Sequence, residues 1–329
     1  MKIVVLHAVV PPDAPPDEQD VLVEVASICA TLRELGHGAV TVDLELDLDR
    51  TRRAIQEHSP AIVFNMVESI RNDGRLIILA PLLLDHMACP YTGSGLNAVY
   101  VTTNKVLSKR LLADAGIPTP AWATLEQAER GSIPFDGPYI VKSLWEDASI
   151  GLDDDSIATD RARLQEIIPV LRARLRGEVL VERYVDGREF NLSVLEVDGL
   201  PVVLPPAEIR FTGFPEGKPR FVGYTAKWDP DSFEFRNTTR SFEFEPADAP
   251  LLQRLKTISL DCWRLLGLRG YGRVDFRVDG DGNPWVLEVN VNPCLSPDAG
   301  FMAACERAGL SVSDAIARIL EAAIGSRDD

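Results

Sequence analysis

The first hundred residues alternate between short apolar runs and amphipathic stretches. Lys2–Leu6 is an apolar run suited to a buried strand, and Pro11, Pro12, Pro15 and Pro16 stiffen the loop after it. Val21, Val25, Ile28 and Leu32 recur at helical spacing with Gly36 as a stop, which predicts a helix from about Val21 to Leu35. Ala39–Leu44 and Ala61–Asn65 read as further strands, Thr51–Glu57 and Leu76–Met87 as helices. Such alternation predicts a parallel sheet covered on both faces. Ligands bind these sheets beyond the carboxyl ends of their strands, so the loops after Leu6 and Asn65 are candidate substrate contacts.

The pattern then changes. A helix is expected over Thr103–Ala115, closed by Gly116 and Pro118, and a strand over Pro138–Lys142. The stretch from Ser143 to Gly151 is small and polar, either a plain surface loop or a flap whose amides approach phosphates. Arg161–Arg174 is an arginine-rich amphipathic helix. Val179–Glu182, Glu189–Leu195, Pro201–Leu204 and Glu208–Phe211 read as strands, and Leu251–Leu266 as an amphipathic helix. Gly217–Asn237 reads as a long loop, a length that inside a compact domain points to function. Gly300–Ala323 is helical with a break at Gly309. The predicted domains are 1–95, a parallel α/β unit; 96–185, a central α+β unit; and 186–329, a C-terminal α+β unit.

Between the last two helical regions lies GYGRVDFRVDGDGNPWVLEVNVNP, Gly270 to Pro293. It predicts a hairpin of Gly272–Val278 and Pro284–Val291 about an Asp-Gly turn. Residues i and i+2 of a strand share a face, so Arg273 joins Asp275 and Glu288 joins Asn290. Two carboxylates and an amide oxygen suit Mg²⁺, and an arginine beside them suits a phosphoryl group or a developing oxyanion. The competing reading is an ordinary half-exposed hairpin whose charges are solvated. An EF-hand is excluded, because Pro284 and Asn290 stand where its loop needs Gly and Glu.

Composition narrows the partners. The chain has 329 residues, 46% hydrophobic and 26% charged, enough for about two or three domains with real cores. A formal charge of −16 argues against a nucleic-acid partner, while leaving room for a nucleotide held by a few local cations. Apolar runs are too short to span a bilayer and the N-terminus lacks a cleavage-site pattern, so no membrane partner is expected. Five scattered cysteines without a CxxC pair suggest reduced thiols and a cytoplasmic location, and four histidines lack zinc-site spacing. Gly93-Ser94-Gly95 suggests a dinucleotide loop only superficially, since Ala98 stands at the third glycine; it reads as a turn. Lys105, near a helix start, is either a surface lysine or a phosphate contact.

In order, YTGSG, Asn104-Lys105, PYIVK, VLVERYVDGREF, YTAKW, GRVDF and VLEVNVNPCLS resemble the ATP-grasp carboxylate–amine ligases, in the D-alanine–D-alanine ligase branch. The resemblance runs from about Pro90 to the end; the first 90 residues agree in layout only. It implies an ATP-grasp fold, whose central and C-terminal domains grip ATP, and an amide-forming ligase acting through an acyl phosphate. It also implies ATP with two Mg²⁺ ions (Mn²⁺ able to substitute), small carboxylate and amine substrates, and a homodimer. Lys105 and Lys142 match lysines on ATP phosphates, and Ser149 and Gly151 match the covering flap. Glu182 matches the adenine-side acid, with the backbone of Arg183, Tyr184 and Val185 lining the base, and Glu189 the ribose acid. Lys227 matches a lysine reaching the γ-phosphate, Arg273 the arginine at the tetrahedral intermediate, and Asp275, Glu288 and Asn290 the metal ligands.

The departures fall in the substrate pocket. The family's first-loop glutamate has no clear counterpart in HAVVPPDAPPDEQD, where Asp17 and Glu18 are merely near. The hydroxyls that bond that glutamate are replaced by Ala148 and Trp228. Cys294 stands for a glycine, Ala299 for the serine that receives a substrate carboxylate, and Asn65-Met66-Val67-Glu68 for a His-Gly loop. Tyr224, Trp228, Cys294 and Ala299 are the candidate substrate residues. Cys294 reads as a small residue in a tight loop rather than a nucleophile. The expectation is a ligase for amino acids or peptides other than D-alanine with D-alanine. The alternatives are a genuine D-alanine–D-alanine ligase and a nucleotide-binding module without catalysis.

Overall fold

The computed structural model describes residues 1–146, 149–175 and 178–325. β1 (Lys2–Ala8), α1 (Pro16–Glu34), β2 (Gly38–Leu44), α2 (Leu48–His58) and β3 (Ile62–Asn65) alternate as expected. The strands pair in parallel in the order β2-β1-β3. Ile3 to Leu6 are wholly buried because β1 is central and both its faces are covered. α1 starts at Pro16, not at Val21. Proline at the first helical position lacks only an N–H that the first turn leaves unbonded anyway, so Pro15 and Pro16 start the helix rather than prolong the loop.

Two expected helices are each divided. Leu76–Met87 becomes a 3-10 turn, Gly74–Ile78, followed by α3 (Leu79–His86). Thr103–Ala115 becomes α4 (Leu96–Thr103) and α5 (Lys105–Asp114). Asn104 between them is extended, and its side chain accepts from the Leu107 N–H, which restarts the helix with Lys105 in its first turn.

The central region is an antiparallel sheet. β4 (Trp122–Thr124), α6 (Leu125–Glu129), β5 (Tyr139–Ser143), β6 (Ile157–Ala158), α7 (Arg161–Arg174) and β7 (Val179–Arg183) follow in the chain, with strand order β4-β7-β5-β6. The arginines of α7 stay outside while Leu164, Ile167, Ile168 and Leu171 pack on Val141 and Val181.

The C-terminal region adds β8 (Arg188–Val197), β9 (Leu200–Val203), β10 (Ala207–Phe211), α8 (Tyr224–Trp228), α9 (Phe233–Asn237), β11 (Thr238–Ser241), α10 (Ala249–Leu266), β12 (Tyr271–Val278) and β13 (Pro284–Asn290). The sheet order is β11-β10-β8-β12-β13, with β9 also on β8. The expected loop from Gly217 to Asn237 therefore holds two helices, each too short to show a periodic pattern. Leu255, Ile258, Cys262 and Leu266 of α10 cover the sheet through Phe190, Leu192, Val274 and Phe276. Gly187 brings the chain into β8 at φ 143°, where an added Cβ would lie 2.0 Å from the Val278 oxygen. Only glycine lets this turn close on the end of the hairpin.

α11 (Gly300–Arg307) and α12 (Val312–Gly325) return to the start of the chain. Ala315, Ile316, Ile319 and Leu320 share one core with Ile3, Val5, Ile28 and Leu32. The first sheet is thus closed on one face by the last helix. Among the described residues no helix is long and apolar enough to cross a membrane.

Candidate active site

The hairpin folds as the alternation predicts. Arg273 stands opposite Asn290 and Asp275 opposite Glu288, with a bulge after Asp275. Directly opposed residues share a face, so the four side chains converge. Arg273 donates two hydrogen bonds to Asp275, at 2.7 and 2.8 Å. Asn191 of β8 donates a third to the same carboxylate at 2.8 Å. Glu288 lies 4.0 Å from the Lys105 Nζ. Burial would raise the Glu288 carboxyl, but Lys105, Lys142, Lys227 and Arg273 outweigh it and hold it below the ordinary range.

The oxygens of Asp275, Glu288 and Asn290 fit a hard cation in donor type and in shared face. Among the described residues no three His, Cys, Asp or Glu gather as a protein-only cage. Two carboxylates and an amide would leave the remaining positions of Mg²⁺ to phosphate and water, which is how that ion is usually held.

A group of lysines faces the hairpin. Lys105 is buried and donates to the Glu146 oxygen at 2.7 Å. Lys142 pairs with Glu182 at 3.0 Å. The other Glu182 oxygen takes Lys109 at 3.2 Å, an ion contact, while Lys109 donates to Thr119 at 2.9 Å. Lys109 escaped the sequence reading although it follows Lys105 by one helical turn. Burial drives it down to about 8 against the attraction of Glu182. Burial opposes ionised Glu182 as well, yet the two lysines hold its carboxyl below its ordinary value. Glu182, expected on the adenine side, lines the cavity and has its charge met by these two lysines.

Arg183 and Tyr184 line the cavity, but their N–H groups donate to Ala121 and Pro138 oxygens, each at 2.8 Å. Val185 lines the cavity beside them. Glu189, expected at ribose, pairs with buried Arg277 at 3.2 Å. Its carboxyl is raised by burial despite that arginine. Arg277 sits opposite Glu189 in the sheet and was not anticipated. Lys227, on α8, is lowered by burial and then by Arg273, against the pull of Glu288, Asp275 and Glu189.

Of the predicted site residues, all but Gly151 and Tyr224 line one cavity of about 570 Å³. Gly151 packs instead against Leu175, where an added Cβ would lie 2.3 Å from a side-chain carbon. It shapes the flap while Ser149 faces inward, its hydroxyl bonded to the Val222 oxygen at 2.6 Å. Tyr224 is not among the lining residues and donates to Asp17, which is, at 2.8 Å. Ala148 lies outside the described residues.

The far end of the cavity is acidic. Asp17, Asp20 and Glu24 recur on one face of α1 and line it with Glu68. Asp20 accepts from Ser296 at 3.1 Å and from the Cys294 thiol at 3.4 Å, and Glu24 accepts from the Leu295 N–H. Burial, then Glu68, raises the Glu24 carboxyl. Burial, then Glu24 and Glu68, push the Cys294 thiol up, which disfavours the thiolate.

A family profile described as "D-ala D-ala ligase C-terminus" matches residues 111–321. The chain belongs to the D-alanine–D-alanine ligase family. "Uncharacterized protein y4sG" of Sinorhizobium fredii is 30% identical, over 90% of this chain and 86% of its own length. A "D-alanine--D-alanine ligase" of Gloeobacter violaceus is 31% identical, over 93% and 95%. A solved D-alanine–D-alanine ligase of Bacillus anthracis superposes with a TM-score of 0.76 at 24% identity, covering 100% of this chain and 99% of that one. VanG D-Ala:D-Ser ligase of Enterococcus faecalis gives 0.73 at 16% identity, covering 98% and 99%. The fold is the ATP-grasp fold, and this family member is an ATP-dependent carboxylate–amine ligase that forms C–N bonds.

Proposed function

We propose that this ligase joins amino-acid or peptide substrates other than D-alanine with D-alanine. The observation that carries the reading is the pocket beyond Asn290. There Cys294, Ser296 and Leu295 are tied to Asp20 and Glu24 of α1, an arrangement of carboxylates around the loop that follows the hairpin. The nucleotide half keeps its lysines and paired carboxylates, so the reaction is kept while the pocket is altered. We also propose functional units of 1–95, 96–185 and 186–329, following the three sheets.

A carboxylate is a poor electrophile because oxide would have to leave. Its attack on the γ-phosphate of ATP gives an acyl phosphate and ADP; the amine then attacks the carbonyl and phosphate departs. Lys105, Lys142 and Lys227 hold the phosphate oxygens, with Lys142 kept in place by Glu182. Asp275, Glu288 and Asn290 would hold Mg²⁺ (two ions, or Mn²⁺), which supplies charge neutralisation on the β- and γ-phosphates. Arg273, fixed by Asp275, faces the oxyanion of the tetrahedral intermediate. Ser149, bonded to the 222 carbonyl, draws the flap over the phosphates and keeps water from the acyl phosphate.

The D-alanine reading has support of its own in the names of the relatives at 30–32% identity. Phosphate release from ATP, measured with D-alanine alone and with pairs from a panel of amino acids, separates the two. Turnover confined to pairs other than D-alanine is expected. Strong turnover with D-alanine alone overturns the proposal in favour of the relatives' activity.

A further inference from the structure

Arg240 sits on β11, the edge strand of the C-terminal sheet. Its register partner is Ile209, which in turn opposes Glu189, so Arg240 shares the sheet face that carries Glu189, Asp275 and Arg273. It lines the same cavity. The guanidinium reaches across to the loop after the hairpin and donates to the main-chain oxygen of Asp298 at 3.4 Å. An added Cβ on Gly300 would lie 3.5 Å from its Nη2. Arg240 thus borders the first turn of α11, where Ala299 at the N-cap position has no side-chain oxygen to cap the first amides.

The electrostatics leave this guanidinium short of negative charge. Arg240 forms no ion pair with a carboxylate among the described residues; Asp298 gives it a carbonyl. Burial and the nearby Arg273 hold its basicity below the ordinary value, against Asp298. Three other cations of this cavity are paired with carboxylates: Lys142 with Glu182, Arg273 with Asp275 and Arg277 with Glu189. Two further polar groups from the same part of the chain are buried without partners, the Trp228 indole N–H and the Thr238 hydroxyl. Thr238 is two residues before Arg240, on the same face, and both Thr238 and Trp228 line the cavity. Buried polar atoms are bonded in the great majority of cases, so orphans on a cavity wall mark where a ligand's polar groups go.

We propose that Arg240, assisted by Thr238 and Trp228, reads a carboxylate on the amine substrate. This deepens the ligase reading and rests on it. The amine substrate is then an amino acid or a peptide end with its carboxylate free, not a simple amine. An anion has no place at the acidic end lined by Asp20 and Glu24, whereas it relieves the repulsion between Arg240 and Arg273.

The test measures phosphate release from ATP with a panel of amino acids, each beside its C-terminal carboxamide. The wild type is expected to use acids and to reject the amides. Arg240→Ala should lower kcat/KM for the acid by about ten- to a hundredfold, chiefly through KM, with the KM for ATP unchanged. Arg240→Lys should recover part of the loss. Equal use of acid and amide by the wild type overturns the assignment and leaves the ligase standing, as does an Arg240→Ala variant with undiminished preference for the acid. No phosphate release with any acid or amide overturns the ligase reading and this assignment together.

Discussion

Glu182 shows how one buried side chain organises a site. It is 1% exposed and sits between Lys109 and Lys142. Replacing it by Gln removes the charge and leaves two lysines uncompensated, a change that costs about 3–5 kcal/mol when a buried pair is broken. Glu182→Gln should therefore lower the denaturation midpoint as well as ATP affinity. The sign with pH follows from its lowered carboxyl value. That contribution is present above the unfolded carboxyl pKa, about 4.3, and is lost as pH falls through the folded value. The gap in melting temperature between wild type and Glu182→Gln should be widest near neutrality and close in acid. A gap that persists undiminished in acid would mean that packing, not charge, is what the substitution removes. At the catalytic end, Arg273→Ala should cut kcat by about 10²–10³-fold, the loss typical of one oxyanion donor, with binding of ATP retained. A titration of ATP binding beside single-turnover rates separates the two effects.

The hairpin was legible in the sequence because its geometry is local: strand alternation puts Arg273 with Asp275 and Glu288 with Asn290, and an Asp-Gly turn brings the pairs together. What joins distant elements was not legible. Lys109 with Glu182, Arg277 with Glu189 and Asp17 with Tyr224 are contacts between residues far apart in the chain, and no periodicity announces them. α8 was hidden in an apparent loop for the converse reason, since five residues carry too little pattern. Yet α8 bears Lys227, and its first residue, Tyr224, ties it to α1 through Asp17. Ser149 and Leu152 of the flap bond to the same segment at Val222 and Tyr224. α1, flap and α8 are thus stitched into one cover. Tyr224→Phe removes one stitch, a hydrogen bond worth about 0.5–1.5 kcal/mol net, and should slow amide formation by up to about tenfold. A looser cover admits water to the acyl phosphate, so phosphate released per amide formed should rise above one. If that ratio stays at unity in Tyr224→Phe, the tie has no part in excluding water.

At the scale of the whole chain, the two ends are one structure. α12 covers the first sheet, and the core it enters also contains Leu295, which adjoins Cys294 at the acidic end of the cavity. Ile319 is wholly buried there. Truncating it to Ala removes apolar volume from a close-packed interior and should cost about 2–5 kcal/mol, as large-to-small core changes do. Its effect on function should be unequal. The proposed nucleotide half uses Lys105, Lys142 and the β12–β13 hairpin, whose Val274, Phe276, Val286 and Val289 lie in the core built on α10, apart from α12. The proposed substrate half uses Leu295, which lies in the core that Ile319 fills, and its bond to Glu24 of α1, whose neighbours Val25 and Ile28 lie in that core too. Ile319→Ala should therefore raise KM for the amine substrate while the KM for ATP stays near wild type, in protein that is still folded at the assay temperature. Steady-state kinetics with each substrate varied in turn, beside a thermal melt, read both quantities. A matched rise in both constants would mean that the loosened core is felt evenly across the cavity, and that the division between a nucleotide half and a substrate half is not built into the packing.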